Sequence, residues 1–192
     1  YDPIKEGEKF LNQNKDVIFG TLSRLSAEKN IITAIKAFAL FSKKVSKSKL
    51  LIAGEGPEDA YLKNYVTRHN LGDKIVFLGH QENIKKFFQQ IDVLVHSSNK
   101  EAFGLVILEA FQHNKFVISS NVGGLKEIIE HKYNGFLYND SKSFVSLHNE
   151  MLRCYDLSFE ARNNVIKNAK KTLEENFSLK IVEENLLTLL HK

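Results

Sequence analysis

The chain has 192 residues, 43% of them apolar and 26% charged, with 14 Phe, 2 Pro and one Cys. That composition excludes a disordered chain and a disulfide framework, and it suits one α/β domain or half of a two-domain protein. The net charge of +4 is a mild excess, and the lysine runs at 43–49 and 167–171 read as solvated faces. No zinc-finger spacing, helix-turn-helix signature or aromatic-rich recognition motif makes a case for nucleic acid. A basic surface also suits contact with anionic lipid or a phosphorylated ligand. Apolar runs such as 103–110 fall far short of the ~20 residues of a membrane span. The opening Tyr1-Asp2-Pro3-Ile4-Lys5-Glu6 has no signal-peptide pattern, and the lone Cys154 fits a reducing compartment. The expected location is the cytoplasm, with the membrane surface as a second place of contact. The chain lacks an initiator Met and reads as a piece of something longer.

Residues 1–15 read as a polar lead-in. Six short apolar runs follow, over 17–22, 49–53, 74–78, 92–96, 116–119 and 135–138. Near-continuous apolar strands suit a sheet buried on both faces. Helical stretches alternate with them, over 30–43, 58–69, 82–90, 104–113 and 125–130. The alternation predicts right-handed βαβ units and an α/β fold with a doubly wound parallel sheet. After Tyr138 three helices are expected, over 141–152, 158–174 and 178–190, so residues 158–192 form additional C-terminal helices. No repeat or linker divides the chain, and 1–192 reads as a single domain.

Glycines cluster after the predicted strands: Gly54 and Gly56, Gly79, Gly104, and Gly123-Gly124. Open α/β sheets bind ligands at the carboxyl ends of their strands. Glycine there lets backbone approach a ligand and leaves helix N-terminal amides free. Any one of these is ordinary turn chemistry; the series favours a nucleotide or phosphate site. Two familiar phosphate motifs fail. Gly54-Glu55-Gly56-Pro57-Glu58-Asp59 has Asp59 for the third glycine of a dinucleotide fingerprint and follows the wrong strand, and no Walker loop exists.

Two segments carry more. Arg24 and Lys29 lie between a buried strand and a helix, so both cations sit near the carboxyl edge. Each contact to a diphosphate there contributes ~1.5–3 kcal/mol. Glu101 and Glu109 lie eight residues apart. Glu109 falls in a helix that is apolar nearly all round, which predicts a buried carboxylate in need of partners. Eight helical residues span ~12 Å, and Glu101 precedes the helix. The comparison with the ~5–9.5 Å of glycosidase pairs favours two separate hydroxyl-binding roles. A structural ion pair for Glu109 is the alternative.

In order and spacing, Gly20…Arg24…Lys29-Asn30, Gly54-Glu55-Gly56-Pro57, Val76-Phe77-Leu78-Gly79, Glu101-Ala102-Phe103-Gly104-Leu105…Glu109-Ala110, Ser120-Asn121-Val122-Gly123-Gly124…Glu127, Asn134-Gly135-Phe136-Leu137 and Phe177-Ser178 resemble a known pattern. It is that of the C-terminal, nucleotide-sugar-binding half of group 1 (family 4) retaining glycosyltransferases of GT-B fold. The resemblance covers about residues 17–190 and implies the following roles. Arg24 and Lys29 hold the donor diphosphate. Glu109 accepts from the ribose hydroxyls, and Glu101 contacts the transferred sugar. Phe103, Gly104 and Leu105 offer backbone amides at a helix start, while the turn at Gly79 and His80 lies beside the base. Transfer keeps the anomeric configuration, to a glycan or lipid-linked acceptor. Cations and amides stabilise the leaving charge, so no metal or other cofactor is expected. The N-terminal, acceptor-binding domain of the family is absent from these residues, so the chain alone is expected to be inactive. The final helices, from Ser158 on, are expected to pack partly against that domain. Asn114-Lys115-Phe116 stands where the family often has Gly-x-Pro, which predicts an altered loop. The remaining histidines, His69, His96, His113, His131, His148 and His191, show no metal spacing and read as structural or solvated. Two alternatives stay open: a non-catalytic nucleotide-binding or regulatory domain, and a GT-B nucleotide-sugar epimerase.

Overall fold

The structure, a computed structural model, describes residues 16–177. The expected lead-in over 1–15 and the last helix over 178–190 lie outside the described residues. Six strands form one all-parallel sheet: β1 (Val17–Leu22), β2 (Ser48–Ala53), β3 (Ile75–Gly79), β4 (Val93–His96), β5 (Phe116–Ser120) and β6 (Phe136–Tyr138). Their order across the sheet is β3-β2-β1-β4-β5-β6, the doubly wound order expected. Seven helices connect or follow them: α1 (Ile31–Lys44), α2 (Asp59–Arg68), α3 (Ile84–Gln90), α4 (Leu105–Gln112), α5 (Leu125–Ile128), α6 (Phe144–Asp156) and α7 (Phe159–Asn176).

Strand periodicity sorts the core into two layers, because successive side chains point to opposite faces. Phe19, Leu50, Ile52, Val93, Val95, Phe116 and Ile118 face α1, α2 and α6, meeting Phe38, Phe41, Leu62, Leu147 and Met151. Leu51, Leu94 and Val117 face α3, α4 and α5, meeting Phe87, Phe88, Ile107, Phe111 and Leu125. Phe19 packs edge-on against Phe41, with ring centroids 4.9 Å apart. Burying each such side chain contributes ~1.5–3 kcal/mol.

Helix ends follow side-chain chemistry. Ser143 and Ser158 accept from the amides of Ser146 and Ala161 and cap α6 and α7, which sets the start of α6 three residues later than expected. The departure at Asn114 has a plain cause. Asn114 takes the left-handed conformation (φ 54°), Lys115 N bonds Ala110 O and Asn114 N bonds Phe111 O. That is a Schellman stop with asparagine in the glycine place. Of the final helices, α7 lies within the described residues. This helix packs on α4 and β5 of its own domain, with Arg162 only 2% exposed. An Arg162 nitrogen donates to Asp92 O at 2.7 Å.

Candidate functional site

The chain leaves β1 toward β2 and β3, then crosses back so that β4 lies on the other side of β1. Such a switch point opens a crevice at the carboxyl ends of the strands. Here β1 and β4 pair only at Phe19↔Val93 and Gly20↔Leu94. Beyond these pairs their loops diverge, and two clefts of about 420 and 370 Å³ lie above them. The clefts share Leu22, Ser23, Arg24 and Val106 as a common wall and so form one groove.

Backbone hydrogen bonds hold the loops around this groove. Ser23 N donates to Ala53 O, Leu25 N to Glu55 O and Gly54 N to Gly79 O. Asn99 N donates to Glu28 O, and Ser97 Oγ to Lys29 O. Asn30 joins three segments: its Nδ2 donates to Asn99 Oδ1 and Ser141 O, and its Oδ1 accepts from Thr33 Oγ1. Gly123 lies against the Glu101 loop with φ 52°, and a Cβ there would stand 2.0 Å from Glu101 O. Only glycine allows that approach, and Gly124 N then donates to Glu101 O.

One end of the groove gathers Arg24, Gly54, Glu55, His80, Gln81 and Glu109. Arg24 is exposed and reaches both clefts. His80 follows Gly79 (φ 67°) at the end of β3, and its N–H donates to Glu55 Oε1 at 3.2 Å. Glu109 corrects the expectation of a buried carboxylate. It is half-buried and faces the cleft from α4, and among the described residues it makes no ion pair. The reason is tertiary: α4 turns its Ile107, Ala110 and Phe111 into the core, and the Glu109 side of the helix borders the groove. Desolvation still raises its pKa, with His113 opposing.

The other end gathers Lys29, His96, Glu101, Phe103, Gly104 and Leu105. Gly104 (φ 84°) is the N-cap residue of α4, so the first amides of that helix, without partners inside it, open toward the groove. Phe103 and Leu105 carry exposed side chains, and Phe103 meets Phe177 edge-on at 6.0 Å. Lys29 Nζ lies 2.6 Å from Glu101 Oε2. His96 Nε2 lies 3.0 Å from the same oxygen, and Ser98 Oγ 3.4 Å from it. The His96 hydrogen bond, aided by Lys29 and opposed by desolvation, lowers the Glu101 pKa to about 2. A third cleft, of about 460 Å³, continues past Glu101 between Glu28, Asn99 and Lys100.

The groove is lined by every expected site residue except Gly79, which directly precedes the lining residue His80. Sequence reasoning missed His96, Ser98 and Asn30. The available signal for His96 was its place as the last residue of a strand at the switch point, five residues before Glu101. Among the described residues, no group of three or more His, Cys, Asp or Glu is arranged to hold a metal ion. None of the described helices is long and apolar enough to cross a membrane.

The model of the family described as "Glycosyl transferases group 1" matches residues 4–172. N-acetyl-alpha-D-glucosaminyl L-malate synthase of Bacillus anthracis is 30% identical over 184 residues, 94% of this chain and 45% of that protein. Anabaena Alr3699/HepE, solved in complex with UDP and glucose, matches with a TM-score of 0.83 at 26% identity. The match covers 95% of this chain and 50% of that one. The C-terminal domain of the group 1 glycosyl transferase LpcC from Francisella tularensis has the same fold. Its TM-score is 0.77 at 22% identity, over 93% of this chain and 96% of that one. The chain spans about half the length of the curated relatives it matches. With its α/β sheet, its switch-point groove and this match over most of its length, the chain belongs to the group 1 glycosyl transferases.

Proposed function

We propose that this chain is the donor-binding half of a retaining, nucleotide-sugar-dependent glycosyltransferase with a glycan or lipid-linked acceptor. The carrying observation is the single groove, with Glu109 and His80 at one end, Arg24 at the shared wall, and Lys29 and Glu101 at the other. A nucleoside diphosphate sugar fits that order. Its base lies by Gly79 and His80, its ribose hydroxyls donate to Glu109, and its diphosphate meets Arg24, Lys29 and the first amides of α4. The sugar then reaches Glu101.

Transfer breaks the bond between the anomeric carbon and the diphosphate oxygen. The acceptor oxygen bonds to that carbon from the face the diphosphate leaves, and its proton passes to the departing phosphate. Negative charge grows on the leaving diphosphate. Arg24, Lys29 and the α4 amides stand ready to stabilise it without reorganising, and no metal is needed for that role. The acceptor is held by an N-terminal domain of the whole protein, and that domain closes over the donor. The UDP and glucose bound by HepE make a UDP-sugar the first probe. Cytoplasmic placement, with basic faces near anionic lipid, accords with such a donor and a lipid-linked acceptor.

A thermal-shift screen of nucleoside diphosphates and nucleotide sugars, run with and without EDTA, tests the reading. At 100 times its Kd a ligand adds ~2.7 kcal/mol of stability. The expected result is a shift with at least one diphosphate that chelator leaves unchanged. Absence of any shift overturns the donor site, and a shift that requires Mn²⁺ or Mg²⁺ overturns the metal-free site.

A further inference from the structure

Lys29 has two claims upon it. Its ammonium is paired with Glu101, yet the donor reading sends it to the diphosphate. Once Lys29 turns away, the Glu101 carboxylate needs another hold. We propose that His96 is the positioning residue that keeps Glu101 aimed at the donor sugar while Lys29 engages phosphate. This rests on the donor-site reading above.

Geometry carries the inference. His96 ends β4, which is paired with β5 over its whole length. The His96 side chain is 5% exposed, so its ring is held by the sheet and does not swing with the loops. An ionised carboxylate only accepts, so the His96 Nε2 facing Glu101 carries the proton. Lys29, His96 and Ser98 all converge on Oε2. Among the described residues nothing donates to Oε1, which leaves that oxygen for a sugar hydroxyl. Of the three partners, Lys29 sits on a long flexible stem in the β1–α1 loop, and Ser98 is the farthest. His96 alone combines short distance with a rigid base. A hydrogen bond to an ionised group is shorter and stronger than one between neutral groups, which favours a fixed carboxylate over free rotation. The charged groups around it are Arg24, Glu28 and Lys29 from the β1–α1 loop and Lys100 beside it.

The test uses His96→Leu, His96→Gln and His96→Asn. Glutamine keeps an N–H near the Nε2 position. Asparagine is polar but too short to reach Oε2, and it covers the case in which His96→Leu does not fold. Two quantities are read in each variant: the titration of the Glu101 carboxyl by ¹³C NMR, and calorimetric affinities for UDP and UDP-glucose. In wild type the His96 hydrogen bond and Lys29 lower the Glu101 pKa to about 2, and a titration midpoint well below the usual carboxylate range is the expected result. Leucine and asparagine are expected to move it upward by at least one pH unit, and glutamine to restore it. UDP affinity should stay within twofold in all three. The ratio of UDP-glucose to UDP affinity should fall about tenfold in the leucine and asparagine variants. A Glu101 titration and an affinity ratio unmoved by leucine or asparagine, with UDP still bound, would overturn the positioning role alone. Failure of wild type to bind UDP, GDP or ADP would overturn the donor-site reading itself, and the sugar-facing role of His96 with it.

Discussion

Two carboxylates on one groove behave oppositely at the residue scale. Glu101 is held ionised by His96 and Lys29, with its pKa lowered to about 2. A depressed carboxyl contributes stability above its unfolded pKa, near 4.5, and loses it as pH falls toward 2. Glu101→Gln is therefore expected to destabilise the chain by about 1–3 kcal/mol at pH 7. In denaturant titrations that gap should narrow steadily between pH 5 and pH 2. Among the described residues Glu109 makes no ion pair, and desolvation raises its pKa against the opposing charge of His113. A raised carboxyl costs stability once pH passes its folded pKa, so Glu109→Gln should leave the melting temperature at pH 7 unchanged or higher. The same variant should weaken a ribonucleoside diphosphate more than its 2′,3′-dideoxy form. A drop in melting temperature with unchanged discrimination would restore the ion-pair reading that the structure does not support.

Loops between elements, more than the elements themselves, set the groove. Gly123 shows how little room they leave. Its φ is 52° and a Cβ would meet Glu101 O at 2.0 Å, so Gly123→Ala must displace the Glu101 loop. The expected cost is about 1–3 kcal/mol, measured by denaturant midpoint. Gly72, with nothing within 4 Å of an added Cβ, is the control. Gly72→Ala should stay within about 0.5 kcal/mol. Strands were legible in the sequence to within one residue, because a two-sided buried strand is a continuous apolar run bounded by polar turns. The start of α6 was less legible. Ser141 and Ser143 are both cap residues by type, and only the bond from Ser146 N to Ser143 Oγ chooses between them.

At the scale of the whole molecule, α7 ties the end of the described chain back to the sheet. Arg162 donates to Asp92 O, directly before β4, at 2.7 Å and lies over the Phe116 ring at 5.6 Å. Arg162→Ala removes a buried, bonded cation and its packing at once. The expected loss is about 2–3 kcal/mol, seen as a lower midpoint with an unchanged m-value. Among the described residues α7 contributes to both core layers through Val165 and Ala169, so the chain is expected to fold alone and to show a single cooperative transition. Transfer by the chain alone is not expected, because catalysis depends on holding both reactants in attack geometry.

The sequence by itself determined the architecture and pointed to candidate residues along one edge of the sheet. Apolar period, strand length and glycine placement are local properties, and they suffice for a doubly wound sheet with loops at its carboxyl edge. Arg24, Lys29, Glu101 and Glu109 stood out through the ordered set of motifs to which they belong, since each segment alone reads equally well as ordinary loop or helix surface. What only the tertiary structure decided is which groups meet. His96 reads as an ordinary core histidine until β4 is placed beside β1, which sets its ring 3.0 Å from Glu101. Lys29 reads as a free cation until the two loops converge, and Glu109 as buried until α4 settles with its other side inward. Contacts around the groove join residues up to 111 positions apart, and no local pattern encodes a distance across the switch point of a sheet.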